Sequence, residues 1–278
     1  MDYETPYYLT FDDEGLPSVQ VIQAIASIVG AGHGELSPLQ SVIDPDALNQ
    51  MAHTEGEWSL SFEYEGFHVS VHSDGQILLR DPESVHTRLG NVSNVLLLAP
   101  EGDDNELCTD LQFTHPPDRE NILTVTVDQA ADETVNEWHA EGLEMRAQRK
   151  IVSLGDFARS AGTQSVTLPG PIEADLIADD QDLDTLHERI ASSLSAWQSN
   201  PHLTTLCFRS IDELLTKTDL DSTFSFLYSL TKLVHDSETV AHYHLDPLAC
   251  DDDVINILTP LFDAIVSEDG DRTVSTGA

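Results

Sequence analysis

Two histidines and a carboxylate form the most suggestive chemical motif in the sequence. His242, His244 and Asp246 occupy alternate positions at the end of a predicted strand over residues 240–245. Alternate residues of a strand share one face, so both imidazoles lie on the same side and the carboxylate follows two residues later. Imidazoles and carboxylates bind divalent metals, which makes these three residues candidate metal ligands. The sequence favours a simpler interpretation, in which the histidines hydrogen-bond neighbouring loops and Asp246 begins a turn with Pro247.

Two other groups of reactive side chains fit structural roles better than chemical ones. The aspartates at 251–253 lack the Asp-x-Asp-x-Asp-Gly spacing of a calcium loop, and acidic residues are favourable at the N-terminus of a helix. Ser210 follows a predicted strand and is flanked by Arg209 and Ile211, but the glycines of a hydrolase GxSxG turn are absent around it. Neither group predicts catalysis.

The three cysteines indicate neither a metal site nor a disulfide framework. Cys108, Cys207 and Cys250 are far apart and odd in number, a pattern typical of reduced, buried thiols in a cytosol. We therefore expect no catalytic residue, no cofactor-binding residue and no cofactor. The candidate metal ligands given above are the sole exception to this interpretation.

The charge of the chain limits its partners. Among 278 residues, 50 Asp and Glu stand against 12 Lys and Arg, which gives a formal net charge of -38. Binding to nucleic acid or to an anionic membrane depends on Lys and Arg, so no nucleic acid and no membrane is expected as a partner. The N-terminal residues also lack the basic and apolar segments of a secretory signal.

The same charge predicts the environment of the protein. A compact chain this acidic repels itself, and molar salt, with a Debye length of about 3 Å, screens that repulsion. We expect a cytoplasmic protein of a halophilic archaeon that requires high KCl. An acidic interaction protein from an ordinary cell is the alternative, ranked lower because the acids are spread along the whole chain.

The first 80 residues predict a small α+β domain of helices on a three-stranded antiparallel meander. Apolar residues recur at helical spacing over residues 18–29, and Asp44 followed by Pro45 is a helix start signal. Period-two alternation then runs through residues 58–64 and 67–71, with turns at Gly66 and Gly75 before a third strand at residues 77–79.

These segments resemble a known family. The stretches LSPLQSVIDPDALNQM at residues 36–51 and SFEYEGFHVSVHSDGQI at residues 61–77 are similar to the halobacterial output domain of haloarchaeal signalling proteins. The resemblance covers residues 16–80. It implies a small module, often joined to receivers or sensors, that passes a signal onward through contacts with other proteins and has no chemistry of its own.

The remaining sequence predicts a doubly wound α/β domain. A continuous apolar run at residues 94–100 is typical of a central parallel strand. Further strands are predicted at residues 122–127, 150–154, 204–208, 240–245 and 264–266, alternating with helices at 132–141, 183–198, 220–235 and 252–262. Residues 159–182 are rich in Gly, Pro and Asp and are expected to form an exposed excursion.

This order of elements is similar to RecA-like ATPases of the clock-protein type and to a haloarchaeal family of uncharacterised domains. An active member would need GxxxxGK[ST] after the first strand, because that loop cradles the phosphates. Residues 100–108 instead read PEGDDNELC, with four carboxylates and no lysine, and Arg209 stands where the resemblance implies an aspartate. We therefore expect a degenerate domain that lacks a P-loop and is not an enzyme.

These observations combine into one expectation. The chain is expected to be a non-catalytic signalling or regulatory protein that acts through an unidentified protein partner. A nucleotide- or metal-dependent switch or enzyme, using a non-standard site in the second domain, is the alternative. The expected domains are an N-terminal tail at 1–15, the output domain at 16–80, a linker at 81–93, the RecA-like domain at 94–268 and a C-terminal tail at 269–278.

Overall fold

The computed structural model places the chain in two compact units, residues 1–88 and 89–278, which are described separately. The described residues are 6–11, 15–32, 34–56, 58–82, 84–90, 92–100, 108, 111, 117–140, 146–155, 163–168, 172–178, 182–200, 202–268 and 272–276. None of the helices formed by these residues is long and apolar enough to cross a membrane.

The first unit has two main helices, both begun by signals that the sequence contains. Helix α1 spans Pro17–Val29 and ends at Gly30, whose positive φ of 69° suits a residue without a side chain. Helix α2 spans Pro45–Met51, and the Asp44 carboxylate accepts hydrogen bonds from the first backbone N–H groups.

The helices cover one face of an antiparallel sheet of four strands. Its strands are β1 (Tyr7–Thr10), β2 (Ser59–Tyr64), β3 (Phe67–His72) and β4 (Gln76–Arg80), in the order β1-β4-β3-β2. Alternate residues of the strands meet the helices in a core that includes Val21, Ile25, Leu48, Phe67, Val69, Val71, Ile77 and Leu79.

The fourth strand corrects the expected three-stranded meander and the expected tail at residues 1–15. Strand β1 pairs antiparallel with β4, which would otherwise be an open edge. The Phe11 N–H continues this pairing by donating to the Gly75 carbonyl, and a side chain at Gly75 would lie 2.6 Å from the Phe11 oxygen. Four residues are too few for a clear alternation pattern, so no sequence pattern predicted β1.

The second unit is a nine-stranded sheet with helices on both faces. A short helix α3 (Val85–Leu89) precedes the first of its strands. The strands are β5 (Asn94–Leu98), β6 (Glu120–Val127), β7 (Gln148–Leu154), β8 (Thr163–Leu168), β9 (Ile172–Ile177), β10 (Leu203–Phe208), β11 (Val240–Leu245), β12 (Ala264–Glu268) and β13 (Arg272–Thr276). The longer helices are α4 (Ala131–Ala140), α5 (Leu183–Trp197), α6 (Ile211–Lys217), α7 (Leu220–Asp236) and α8 (Asp252–Leu258).

The strand order confirms a doubly wound α/β domain. The order is β13-β12-β5-β11-β10-β6-β7-β9-β8, with parallel pairing throughout except at the two outer strands, β8 and β13. Helices α5 and α7 pack on one face, where their apolar side chains meet those of β6, β10 and β11. Helix α4 packs on the other face through Ala131 and Trp138.

Two segments depart from the sequence prediction. Much of residues 159–182, expected to be an exposed excursion, forms β8 and β9, and β9 pairs parallel with β7. The sequence did not predict β9 because it contains Asp175, and aspartate is uncommon in strands. In the structure the Asp175 carboxylate is buried and paired with Lys150 at 2.9 Å. The expected tail at 269–278 contains β13, which pairs antiparallel with β12.

Candidate metal centre

Two neighbouring parallel strands bring three polar side chains together inside the second unit. Cys207 of β10 is opposite His242 of β11, and His244 follows two residues later on the same face. Cys207 and His244 are each the fifth of six residues in their strands, near the carboxyl end, and His242 is the third of six. The His242 and His244 rings have centroids 5.3 Å apart.

A fourth polar side chain, Cys108, comes from the connection between β5 and β6. Its Sγ lies 3.3 Å from His242 Nε2 and 3.7 Å from Cys207 Sγ. Cys207 Sγ lies 3.5 Å from His244 Nε2. One possible ligand atom from each of the four residues is therefore within 4.8 Å of every other. We call these residues, Cys108, Cys207, His242 and His244, the Cys/His cluster.

The Cys/His cluster is enclosed by protein. Both cysteines are fully buried, and the histidines are 1% and 6% exposed. Burial lowers the pKa of His242, which favours its neutral form. The His242 Nδ1 atom has no hydrogen-bond partner among the described residues.

The two thiols have different affinities for their protons. The hydrogen bond from Cys207, aided by the charges of His244, His242 and Arg209, holds the pKa of Cys108 well below its ordinary value. Burial and the hydrogen bond to Cys108 raise the pKa of Cys207 well above its ordinary value. The thiolate, and not the thiol, is the form of cysteine that binds metals.

Arg209 and Glu137 form a charged pair beside the Cys/His cluster. Arg209 directly follows β10, and its Nη1 donates to Glu137 Oε2 at 2.7 Å while its Nη2 approaches Cys108 Sγ at 3.8 Å. Glu137 belongs to α4, and its other oxygen accepts from Gln129 at 2.7 Å. The guanidinium thus links α4 to the sulfur of Cys108.

Two parts of the chain match known protein families. Residues 92–268 match a family of unknown function, DUF7504, and residues 13–81 match halobacterial output domain 1. The chain belongs to the DUF7504 family. Its N-terminal match confirms the resemblance seen in the sequence, and an output domain suggests a signalling role. A comparison with curated proteins finds no match.

The chain is also similar in fold to archaeal proteins of known structure. A Pyrococcus horikoshii OT3 protein, PH0250, has a TM-score of 0.46 at 11% identity, over 68% of this chain and 89% of that one. The KaiC-like protein PH0186 from the same organism has 0.44 at 13%, over 66% and 76%. The flagellar accessory protein FlaH of Methanocaldococcus jannaschii has 0.38 at 12%, over 66% and 75%. These likenesses concern the fold and nothing else.

The structure of this DUF7504 member separates the three candidate metal ligands. His242 and His244 lie in the Cys/His cluster, but the Asp246 carboxylate instead accepts from the Leu248 N–H at 2.7 Å. Asp246 therefore forms the turn that the simpler interpretation predicted. His242 contacts Cys108 of the connection between β5 and β6, as that interpretation predicted, whereas His244 contacts Cys207 of a neighbouring strand.

Sequence reasoning missed the two cysteines of the cluster. Cys108 is 134 residues from His242 along the chain, and no local spacing connects them. Cys207 carried a weak signal, because it lies near the end of a strand that was predicted, as does His244. The pairing of β10 with β11 brings Cys207 and His242 together, and the sequence did not predict that pairing.

The other reactive groups have structural roles. The helix predicted at the aspartates 251–253 is confirmed, since α8 begins at Asp252. Ser210 has a left-handed backbone, φ 71°, and turns the chain from β10 into α6. Two basic residues near residue 150 form salt bridges, Arg146 with Glu120 and Lys150 with Asp175. Residues 101–107, where a P-loop would be expected, lie outside the described part of the chain.

Proposed function

We propose that this protein is a cytoplasmic signalling protein of a halophilic archaeon that acts through contacts with a partner protein and performs no nucleotide chemistry. The output-domain match at residues 13–81 supports the signalling role. The net charge of -38 supports both the need for high KCl and a partner other than nucleic acid or an anionic membrane.

The non-catalytic part of this proposal rests on one observation. The Cys/His cluster fills the position where folds of this kind bind their ligands. Doubly wound folds hold ligands at the carboxyl ends of their parallel strands. At the ends of β10 and β11, the Cys/His cluster occupies this position with side chains that are at most 6% exposed. Arg209, the first residue after β10, already has a carboxylate partner in Glu137.

An open cleft elsewhere in the same unit is also unsuited to phosphates. It has a volume of about 930 Å³ and lies beside the end of β7, between α5 and α7. The Asp182 and Asp219 carboxylates accept hydrogen bonds from the N-terminal N–H groups of these two helices. Helix N-termini are the usual anion sites of a protein, and here each already holds a carboxylate.

The sequence of the first connection supports the same conclusion. Residues 101–106 contain four carboxylates and no lysine. A phosphate placed near them would meet repulsion of about 1 kcal/mol per pair of unit charges at 4 Å even in water.

Nucleotide binding provides the test of this part of the proposal. Isothermal titration of the full chain with ATP and with GTP, in molar KCl with magnesium, should give no saturable heat. Circular dichroism of the same sample confirms that the chain is folded, and a known ATP-binding protein that is active in molar KCl serves as the positive control. Saturable binding in the micromolar range would contradict the proposal, and its loss in Arg209→Ala would place the nucleotide at the end of β10.

A metal-dependent switch is the second candidate function. The observation that favours it is the Cys/His cluster, whose four possible metal-ligand atoms lie within 4.8 Å of one another. This candidate does not require nucleotide binding, so the titration above leaves it intact.

A further inference from the structure

The Cys/His cluster has the dimensions of a tetrahedral zinc site. Zinc binds sulfur at about 2.3 Å and imidazole nitrogen at about 2.0–2.1 Å, so a tetrahedron places two sulfurs ~3.8 Å apart and sulfur ~3.5 Å from nitrogen. The two sulfurs are 3.7 Å apart, and the two measured sulfur–nitrogen distances are 3.3 and 3.5 Å. Three of the six ligand-to-ligand distances therefore match a zinc tetrahedron, and the other three are at most 4.8 Å.

The chemical types of the four ligands indicate which metal the site binds. Two thiols and two imidazoles are the composition of structural zinc sites, and a tetrahedral S₂N₂ set is typical of zinc or of an iron–sulfur centre. The four ligand atoms lie within 4.8 Å of one another, which fits one ion and not a cluster whose ligands are divided between two irons. Calcium and magnesium are excluded because they take oxygen ligands. Cys108, Cys207, His242 and His244 supply four protein ligands, so no position stays open for a substrate or an activated water.

The charge balance of the buried site also fits a divalent ion. Two thiolates and one zinc ion sum to zero, and the adjacent Arg209 is neutralised by Glu137 at 2.7 Å. A monovalent ion such as Cu(I) would leave one negative charge buried without compensation, which is costly in a protein interior.

We propose that Cys108, Cys207, His242 and His244 bind one zinc ion that fixes the connection between β5 and β6 to the sheet. Cys108 lies in that connection, whereas the other three ligands belong to β10 and β11. Doubly wound folds bind ligands at the carboxyl ends of their strands, and at the ends of β10 and β11 the ion has a structural role instead. This proposal goes beyond the signalling role and does not depend on it.

The first measurement is the metal content of the full chain. Protein purified in molar KCl without chelator, then dialysed against metal-free buffer, should retain one zinc per chain by plasma mass spectrometry. Cys108→Ser should reduce this content at least tenfold. Cys250→Ser is the matched control, because Cys250 is the third cysteine of the chain and lies outside the cluster, and it should retain the zinc.

Cobalt substitution tests the geometry without relying on any variant. Wild-type protein stripped of metal and titrated with Co²⁺ should develop the intense visible bands of tetrahedral cobalt and a thiolate charge-transfer band, saturating at one equivalent. Stoichiometric Zn²⁺ should abolish both. Cys250→Ser should give the same spectrum, and Cys108→Ser should lose intensity in the charge-transfer band.

Two results would overturn the proposal. One is a folded wild-type chain that carries no zinc and gives only the weak spectrum of octahedral cobalt. The other is a Cys108–Cys207 disulfide in protein purified without reductant, seen as one titratable thiol in denaturant where the reduced chain has three. Neither result involves nucleotide, so each is separate from the test of the proposed function.

Discussion

The two faces of the large sheet are both buried, yet they contain different chemistry. The apolar face carries Leu123, Val125, Leu206, Phe208 and Leu245 and packs against α5 and α7. The polar face carries Glu120, Thr124, Thr205, Cys207, His242 and His244 among apolar neighbours. Since side chains alternate between faces along each strand, the same six to eight residues of each strand supply both faces.

The difference shows that the two faces are stabilised in different ways. An apolar side chain gains stability from the area that it removes from water, whatever its exact neighbour. A buried polar group loses stability unless it is paired, so each one on the polar face requires a specific partner. The apolar face should therefore respond to lost volume, and the polar face to lost partners.

Truncation on the apolar face should have the largest effect. Phe208 is fully buried, and its ring centroid lies 5.9 Å from that of Phe226 and 6.1 Å from that of Tyr243. Phe208→Ala should lower the free energy of unfolding by about 4 kcal/mol, from lost burial and the cavity left behind. Urea unfolding at constant molar KCl, followed by circular dichroism, measures the loss.

The control for this variant is a large aromatic residue at the surface. Tyr228 is 60% exposed on α7, and Tyr228→Ala should change the unfolding free energy by no more than about 0.5 kcal/mol. A loss below about 1 kcal/mol in Phe208→Ala would show that the apolar face is not the main stabilising face.

Breaking the ion pair on the polar face should have the next largest effect. Arg146 donates to Glu120 at 2.5 Å, and both side chains are fully buried. Arg146→Met removes the guanidinium that neutralises the Glu120 carboxylate and should cost about 3 kcal/mol. The double variant Glu120→Gln/Arg146→Met removes the charge as well and should recover at least half of that loss in the same unfolding assay.

An exposed ion pair is the comparison for this cycle. Lys217 and Asp128 lie 2.8 Å apart, but their side chains are 21% and 45% exposed. Lys217→Met should cost at most about 1 kcal/mol because solvent already screens the pair. If the double variant is no more stable than Arg146→Met, lost packing and not an uncompensated charge explains the loss.

The sequence predicted the strands that carry both faces but not the meeting of their polar groups. The strand at residues 240–245 was placed at its exact bounds, because Ala241, Tyr243 and Leu245 alternate with other residues, as in a strand. The order β5-β11-β10 depends on packing across the whole sheet, and no local pattern contains it. Cys108 and Cys207 therefore read as isolated thiols.

The strands that were missed share a physical cause. Strand β1 has four residues, and strand β13, RTVST, has a single apolar residue, so neither shows an apolar run or a clear period. Strand β9 contains Asp175, which is typical of a loop until its burial beside Lys150 is known. Sequence patterns detect apolar burial well, whereas a charge buried through a distant partner becomes visible only in three dimensions.

The smallest effect is expected from a hydroxyl on the polar face. Thr124 is 1% exposed and lies opposite Cys207, and its Oγ1 has no hydrogen-bond partner among the described residues. Thr124→Val removes this unpaired group at nearly constant shape and should leave the chain as stable as before or up to about 1 kcal/mol more stable. Thr205→Val is the matched control, because Thr205 donates to Glu120 and its loss should cost about 2 kcal/mol. A loss in Thr124→Val equal to that in Thr205→Val would mean that Thr124 is also paired, and that the polar face depends on more partners than its ion pair and its Cys/His cluster.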